Sequence, residues 1–225
     1  MGCFQSQPQE YRSSSAVATT SFAPTYADGD GFVQPQTPLK TWNIILSGQH
    51  TLAAQLFSKL KGSPNFGVYG ENTKTIFCGN ITLFIHWVDM NGEFFPLPTE
   101  AVRGIVFVVD ATNKESLSTA KESLEQICGY YSEYFQDLML LILAQGTEEP
   151  NAVGFREAKH LLSLRWLPVD GHFIQSCSVD TGEGVQQGLE SLIKGILQVD
   201  YQLEQDARMQ SMLAWSMFMT PMPLF

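Results

Sequence analysis

Two uninterrupted apolar runs constrain the fold of this chain more than any other feature. Residues 104–110 read GIVFVVD, and residues 138–144 read LMLLILA. Neither run alternates apolar with polar residues, so a strand formed by either one must be covered on both faces, as in the middle of a parallel sheet. Parallel neighbours are joined by long crossover connections, which are usually helices. The two runs therefore predict an α/β protein.

The remaining pattern between residues 41 and 199 alternates strands with helices in the same way. Further strands are predicted at residues 42–48, 75–79, 81–89 and 172–176, with a tight turn at Gly79 and Asn80. Amphipathic helices are predicted at residues 51–61, behind a capping box at residues 112–115, at residues 154–164 and from about residue 181. This order predicts a mostly parallel six-stranded sheet with helices on both faces.

Two segments flank this domain, which we place at residues 41–199. Residues 1–40 are rich in Ser, Thr, Gln, Pro and Gly, with few large aliphatic residues. They cannot bury enough apolar surface to offset the entropy lost on ordering, so a flexible arm is predicted. Residues 200–225 are predicted to form a helical tail with an apolar end at residues 212–219. That end could dock on its own domain or anchor a partner, and the sequence leaves both possibilities open.

Charge, cysteines and histidines narrow the class of function. The formal charge of −10 repels a phosphate backbone, so nucleic acid is not an expected partner. The four cysteines form no C-x-x-C pair and the four histidines have no ligand spacing, so no metal site is predicted. No apolar run reaches the roughly 18 residues needed to span a bilayer, and no secretory signal is recognisable. A cytoplasmic protein in a reducing compartment is expected.

The N-terminus carries a lipidation pattern. Met1-Gly2-Cys3-Phe4-Gln5-Ser6 matches M-G-x-x-x-[ST], which predicts myristoylation of Gly2. One myristoyl chain binds membrane with a constant of only about 10⁴ M⁻¹, so a second signal is needed. Arg12 is the only basic residue before Lys40, which rules out a polybasic patch. Palmitoylation of Cys3 is the predicted second signal, and a peripheral protein on the cytosolic face of a membrane is expected.

Three stretches carry a resemblance to a known family. They are residues 107–110 with the helix behind them, residues 140–144 continuing to 150–152, and residues 172–178 with the glycine-bearing segment 181–189. In order and spacing they resemble the second half of an ADP-ribosylation factor (Arf)-like small GTPase, and the resemblance extends over residues 42–198. It implies a P-loop small-GTPase fold, GTP or GDP bound with Mg²⁺, protein partners and a role in vesicle trafficking.

The phosphate-binding loop of such a protein requires G-x-x-x-x-G-K-[ST], in which the lysine meets the phosphates and the hydroxyl holds Mg²⁺. Counted from Gly48, the last three positions hold Ala53, Ala54 and Gln55. Counted from one residue earlier, they hold Leu52, Ala53 and Ala54, so neither register supplies the lysine or the hydroxyl. Lys59 and Lys61 lie more than a helical turn further along and are interpreted as solvated charges.

The other motifs of the resemblance are altered as well. Asp89 and Gly92 occupy the D-x-x-G place, where they would meet Mg²⁺ and the γ-phosphate, but Glu93 replaces the glutamine that orients water. The N-K-x-D place that reads guanine begins at Gln145 and ends at Glu148, without its lysine. Ser178 stands where a backbone amide would contact the base. The weak candidates for nucleotide binding are thus Gly48, Asp89, Gly92, Gln145, Glu148 and Ser178.

These changes predict a membrane-anchored Arf-like pseudo-GTPase that acts as an adaptor or scaffold in trafficking or organelle-associated assembly. No catalytic residue, metal or nucleotide cofactor is expected, and GTP hydrolysis is not expected. One alternative is an atypical small GTPase that binds GTP or GDP with Mg²⁺ through altered loops. A further alternative is a structural subunit of a large complex.

Overall fold

The computed structural model describes residues 40–61, 63–64, 72–78, 81–89 and 102–218. Within these ranges the chain forms seven strands and four α-helices, with a short 3-10 turn at Leu164–Trp166. The strands are β1 Lys40–Gly48, β2 Ser63–Pro64, β3 Thr73–Cys78, β4 Ile81–Trp87, β5 Val102–Asp110, β6 Met139–Gln145 and β7 Gly171–Cys177. The helices are α1 His50–Lys59, α2 Lys114–Tyr134, α3 Phe155–Leu161 and α4 Val185–Phe218.

All strands belong to one sheet in the order β2-β3-β4-β1-β5-β6-β7. The pairs from β4 through β1, β5 and β6 to β7 are parallel, whereas β3 pairs antiparallel with β4 and β2 with β3. The predicted six-stranded, mostly parallel sheet is therefore confirmed. The two-residue strand β2 extends it at one edge and was not predicted.

The apolar side chains of the central strands divide between two cores. Ile105, Phe107 and Val109 of β5 pack with α2 and α3 on one face of the sheet. Val106 and Val108 of the same strand pack with α1 and α4 on the other face. Both faces of β5 are covered because its residues are apolar without alternation. Helices on both faces of the sheet are thus confirmed.

Two helix starts differ from their prediction. The predicted capping box at residues 112–115 is wrong by one residue. The N-cap of α2 is Asn113, whose Oδ1 accepts a hydrogen bond from Ser116 N at 2.8 Å. The helix predicted from residue 181 begins only at Val185. Gly182 and Gly184 have φ angles of 79° and 77°, a left-handed conformation that ends the preceding turn before the helix can begin.

Helix α4 is continuous from Val185 to Phe218, so the predicted domain boundary at residues 199–200 lies inside it. Its first half packs on the sheet through small and apolar residues, such as Gly188 against Leu141 and Leu143. Residues 201–212 are all exposed, so in this range the tail does not dock on its own domain. The N-terminal arm and the turn at Gly79 and Asn80 lie outside the described residues.

Candidate functional site

The candidate residues for nucleotide binding come from the ends of four parallel strands. Each follows or ends its strand at the carboxyl edge of the sheet, where open α/β folds bind ligands. The described candidates are Gly48 at the end of β1, Asp89 after β4, Gln145 at the end of β6, Glu148 in the next loop and Ser178 after β7. Gly92, Gly2 and Cys3 lie outside the described residues. The structure thus places the five described candidates along one edge.

The connection between β1 and α1 is a single residue. β1 ends at Gly48 and α1 begins at His50, so only Gln49 separates them. Ala53 N donates to Gln49 O at 2.9 Å, which is an ordinary hydrogen bond of a first helical turn. A phosphate-binding loop needs a non-helical stretch here, because its backbone N–H groups must point at the phosphates. In this chain residues 50–55 are helical instead.

Gly48 is required by the packing of the strands. Its φ angle is 134°, a conformation that side chains rarely adopt, and it lies opposite Val108 of β5. A Cβ atom added to Gly48 would overlap the Val108 backbone, 2.5 Å from its N atom. Gln49 N also donates to Val108 O at 3.0 Å, which draws the two backbones together. The glycine that heads the phosphate-loop pattern therefore has a structural reason to be glycine.

Gln49 occupies the point where β1, β5 and α2 meet, and no sequence motif indicated it. Its Oε1 accepts a hydrogen bond from Asp110 N at 2.5 Å, and its Nε2 donates to Ser116 Oγ at 2.5 Å. The side chain therefore joins the end of β1 to the end of β5 and to the first turn of α2. Its only sequence signal is a polar residue directly after a buried strand.

Asp89 lies beside the first residue of α1. Its Oδ1 is 3.0 Å from His50 Nδ1, and both side chains are partly exposed. The amino end of a helix favours negative charge, so this carboxylate adds an anion where a phosphate would otherwise be stabilised. Gln55, at the hydroxyl position of the loop pattern, is exposed on α1. These residues do not fit a Mg²⁺–triphosphate group, since the hydroxyl ligand is absent and the carboxylate contacts a histidine.

The backbone amides after β7, where the family pattern would contact guanine, donate hydrogen bonds within the protein. Val179 N donates to Gln145 Oε1 at 2.6 Å, and Ser178 N donates to Glu183 O at 3.0 Å. Either amide was a candidate to contact the oxygen of a guanine. Gln145 therefore joins the loops after β6 and β7, which is a positioning role.

One cavity at this end, lined by described residues, is small and carries two carboxylates. Its volume is about 180 Å³, whereas small-molecule sites usually occupy about 300 Å³ or more. Glu148 and Glu183 both line it, together with Ser178 and other residues of the loops after β6 and β7. Both acidic residues are exposed, so this end of the site is open and negative.

Two lysines that follow the candidate loop, Lys59 and Lys74, are engaged elsewhere. Lys59 ends α1, about 14 Å along the helix from His50, and donates to Asp180 O at 2.9 Å and Asp180 Oδ1 at 3.1 Å. Lys74 donates to three carbonyls at the end of the same helix, those of Phe57, Ser58 and Leu60, at 2.6 to 3.0 Å. Within the described residues, no cluster of three or more His, Cys, Asp or Glu could hold a metal ion.

Comparison with known proteins agrees with this arrangement of strands and loops. The sequence model of the ADP-ribosylation factor family matches residues 48–196. ADP-ribosylation factor-like protein 4D of Homo sapiens is 37% identical over 100 residues, which cover 44% of this chain and 49% of that protein. The chain thus spans about half the length of this curated relative. The family match begins at Gly48 and ends in the buried half of α4.

Proposed function

Because the chain belongs to the ADP-ribosylation factor family, we propose that it is a pseudo-GTPase, a member that has lost nucleotide binding and serves as a membrane-anchored adaptor or scaffold. The observation that carries the proposal is the one-residue connection between β1 and α1. It removes the loop whose amides would surround the phosphates, because the residues of that loop are part of a helix.

The charges of the site support the same conclusion. A lysine about 4 Å from a phosphate contributes up to about 4 kcal/mol at an effective dielectric constant of about 20. Its loss therefore weakens binding by about three orders of magnitude. In this chain Ala54 holds the lysine position, while Asp89 and Glu148 place negative charge at both ends of the site. Repulsion from these carboxylates adds to the loss.

Exposed apolar side chains support a role in binding proteins. Phe77 on β3 is 71% exposed and Trp166 is 81% exposed. Phe77 borders a cleft of about 1090 Å³ between α1 and α4, whose walls include Leu60, Leu189 and Ile193. An adaptor needs apolar surface that a partner can cover, and aromatic residues are enriched where proteins bind one another.

The competing function is a GTP- or GDP-binding GTPase with altered loops. Membership of the family favours it, and it would use Gly48, Asp89, Gly92 and Glu148. The two functions differ in whether guanine nucleotide binds at all, which a titration decides.

We expect no saturable binding of fluorescent GTP or GDP below about 100 μM, with or without Mg²⁺, because among the described residues neither a lysine nor the amides of a non-helical loop after β1 would meet the phosphates. Isothermal titration of the full chain with unlabelled nucleotide should agree. The matched variants are Asp89→Ala and Lys121→Ala, the second at a partly exposed residue of α2. Binding at micromolar or tighter concentration that needs Mg²⁺, and that D89A but not K121A abolishes, would establish the competing function.

Attachment to a membrane is proposed through acylation of Gly2 and Cys3. In washed cell fractions, Gly2→Ala should move most of the protein from the membrane to the soluble fraction, and Cys3→Ser should move an intermediate amount. Gly2→Ala should have the larger effect because palmitoylation of Cys3 requires prior membrane contact. Cys3→Ser keeps the myristoyl chain, which alone binds with only about 10⁴ M⁻¹. Gln5→Ala leaves the glycine, the cysteine and the serine of the lipidation pattern in place and serves as the nearby control. Unchanged membrane fractions for G2A would refute acylation as the main attachment.

A further inference from the structure

The last part of α4 projects away from the domain. Residues 201–212 are all exposed, with Tyr201 62% and Met212 72% accessible, and the helix continues to Phe218. At about 1.5 Å per residue, the part beyond Asp200 is about 27 Å long. The described side chains of this extension therefore stabilise nothing in the domain that carries them.

The extension leaves the domain where the chain also enters it. Asp200 Oδ2 lies 3.0 Å from Lys40 Nζ, and Asp200 Oδ1 accepts a hydrogen bond from Arg103. Lys40 is the first residue of β1, and Arg103 lies at the start of β5. These ion pairs are partly buried and hold the exit of α4 at the amino edge of the sheet, opposite the candidate nucleotide site. The arm that carries Gly2 and Cys3 joins the domain at the same point.

The composition of the extension changes along its length. Asp200, Glu204, Asp206 and Arg208 make the first part polar. From residue 209 to residue 225 there is no acidic or basic residue, and residues 209–218 read MQSMLAWSMF. Burying apolar surface is worth about 25 cal/mol per Å², and an aromatic side chain alone offers about 150–250 Å². A projecting helix of this composition is therefore most stable when its end is covered.

We propose that residues 209–218 of α4 insert into the surface of a lipid bilayer, as a second attachment point beside the acylated N-terminus. The proposal rests on the membrane attachment proposed above. A spanning helix needs about 20 apolar residues, and among the helices that the structure describes none has the length and apolar composition to cross a bilayer. Ten helical residues are only about 15 Å long, so the segment enters only the interfacial layer, where tryptophan is favoured.

Reach and avidity favour a bilayer over other occupants. About 37 residues separate Cys3 from Lys40, and a chain of that length extends to at most about 120 Å. This upper limit exceeds the 27 Å extension, so the length of the chain allows the acyl chains and the end of α4 to contact one bilayer. One acyl chain attaches only reversibly, and a tethered second anchor converts a weak contact into stable attachment.

The acidic residues of the extension predict how it binds. Glu204 and Asp206 and the net charge of −10 oppose attraction to anionic lipid. Insertion must therefore be driven by apolar burial, and anionic lipid should not strengthen it. A polybasic attachment would show the opposite dependence.

The test is flotation of the full chain, made without acyl groups, on phosphatidylcholine vesicles. We expect a binding constant near 10⁴ M⁻¹, comparable to that of one acyl chain, and a loss of tenfold or more in the double variant Trp215→Ser with Phe218→Ser. Tyr134→Ser is the matched control, because Tyr134 is an exposed aromatic residue on α2, outside α4, and it should stay within twofold. Replacing one third of the lipid with phosphatidylserine should leave binding unchanged or lower it, and raising NaCl to 0.5 M should change binding to phosphatidylcholine vesicles by less than twofold.

A chain ending at Arg208 provides a second variant with an intact domain, since the residues around that end are exposed. It should lose vesicle binding and keep the circular dichroism of the folded domain. No binding by the unacylated chain would overturn the insertion proposal while leaving acylation to be judged by the cell fractions. Binding that rises with phosphatidylserine, or a double variant that binds normally, would also overturn it. The proposal would also be overturned if the double variant changed from dimer to monomer in light scattering while its vesicle binding stayed the same. That result would identify a second copy of the chain as the occupant.

Discussion

The variant Gly48→Ala should lose about 4 kcal/mol or more of its free energy of unfolding, measured by urea denaturation at neutral pH. Two costs combine at this position. The φ angle of 134° is strained for any residue with a side chain, and the new Cβ would overlap the Val108 backbone, which cannot move without breaking the β1–β5 pairing. The loss should occur without nucleotide, because the glycine is needed to pack β1 against β5.

Gly182→Ala is the matched control for this prediction. Gly182 also has a positive φ angle, 79°, but no atom lies within 4 Å of the position that its Cβ would take. Gly182→Ala should therefore lower the free energy of unfolding by only about 1 kcal/mol, the cost of holding a residue with a side chain in the left-handed conformation. Equal effects of G48A and G182A would show that close packing at Gly48 is unimportant. The glycine would then be better explained by a ligand.

Stability should fall by about 3 kcal/mol between pH 7 and pH 4 because of His86 alone. His86 is buried in β4, where its ring contacts Asn43 Oδ1 at 2.7 Å and Thr73 Oγ1 at 3.0 Å. Burial lowers the pKa of His86 from 6.5 to about 4. Between these values the unfolded chain binds a proton that the folded chain does not, so the free energy of unfolding rises with pH through this window. Above about pH 7 both states are neutral at His86, and its contribution is constant.

The measurement compares urea denaturation at pH 7 and pH 4 for the wild type and for His86→Gln. The variant is expected to be less stable at pH 7 but to lose about 3 kcal/mol less than the wild type on acidification, since its amide does not titrate. His172→Gln is the comparison, because burial, and to a lesser degree Lys159, lowers the pKa of His172 at a partly exposed site. Equal pH dependence of the wild type and H86Q would contradict a neutral buried histidine.

Under the adaptor hypothesis, the protein binds a partner without switching between nucleotide-dependent conformations. A nucleotide switch requires loops that change conformation with the γ-phosphate. Here Gln49 joins β1, β5 and α2, and Gln145 joins the loops after β6 and β7. These hydrogen bonds link the elements of the carboxyl edge to one another without a nucleotide, as the adaptor hypothesis requires.

Much of the fold was predictable because it depends on local apolar patterns. The runs at residues 104–110 and 138–144 became β5 and β6, buried on both faces as their lack of alternation requires. The strand ends also located Gly48, Asp89, Gln145 and Ser178 at one edge. The start of α1 at His50 was less predictable, since Gln49 makes no side-chain cap and a helix start without a cap has no clear sequence signal.

The amino-acid sequence by itself determined the alternation of strands and helices, the net negative charge and the absence of a lysine from the phosphate-loop positions. These are properties of composition and short-range spacing. Only the tertiary structure decided which side chains meet around those positions. The contacts that decide this join residues that are distant in the sequence. Gln49 meets Asp110, 61 residues away, and Lys40 meets Asp200, 160 residues away. Such bonds depend on how the sheet and helices pack, and no short-range pattern encodes them.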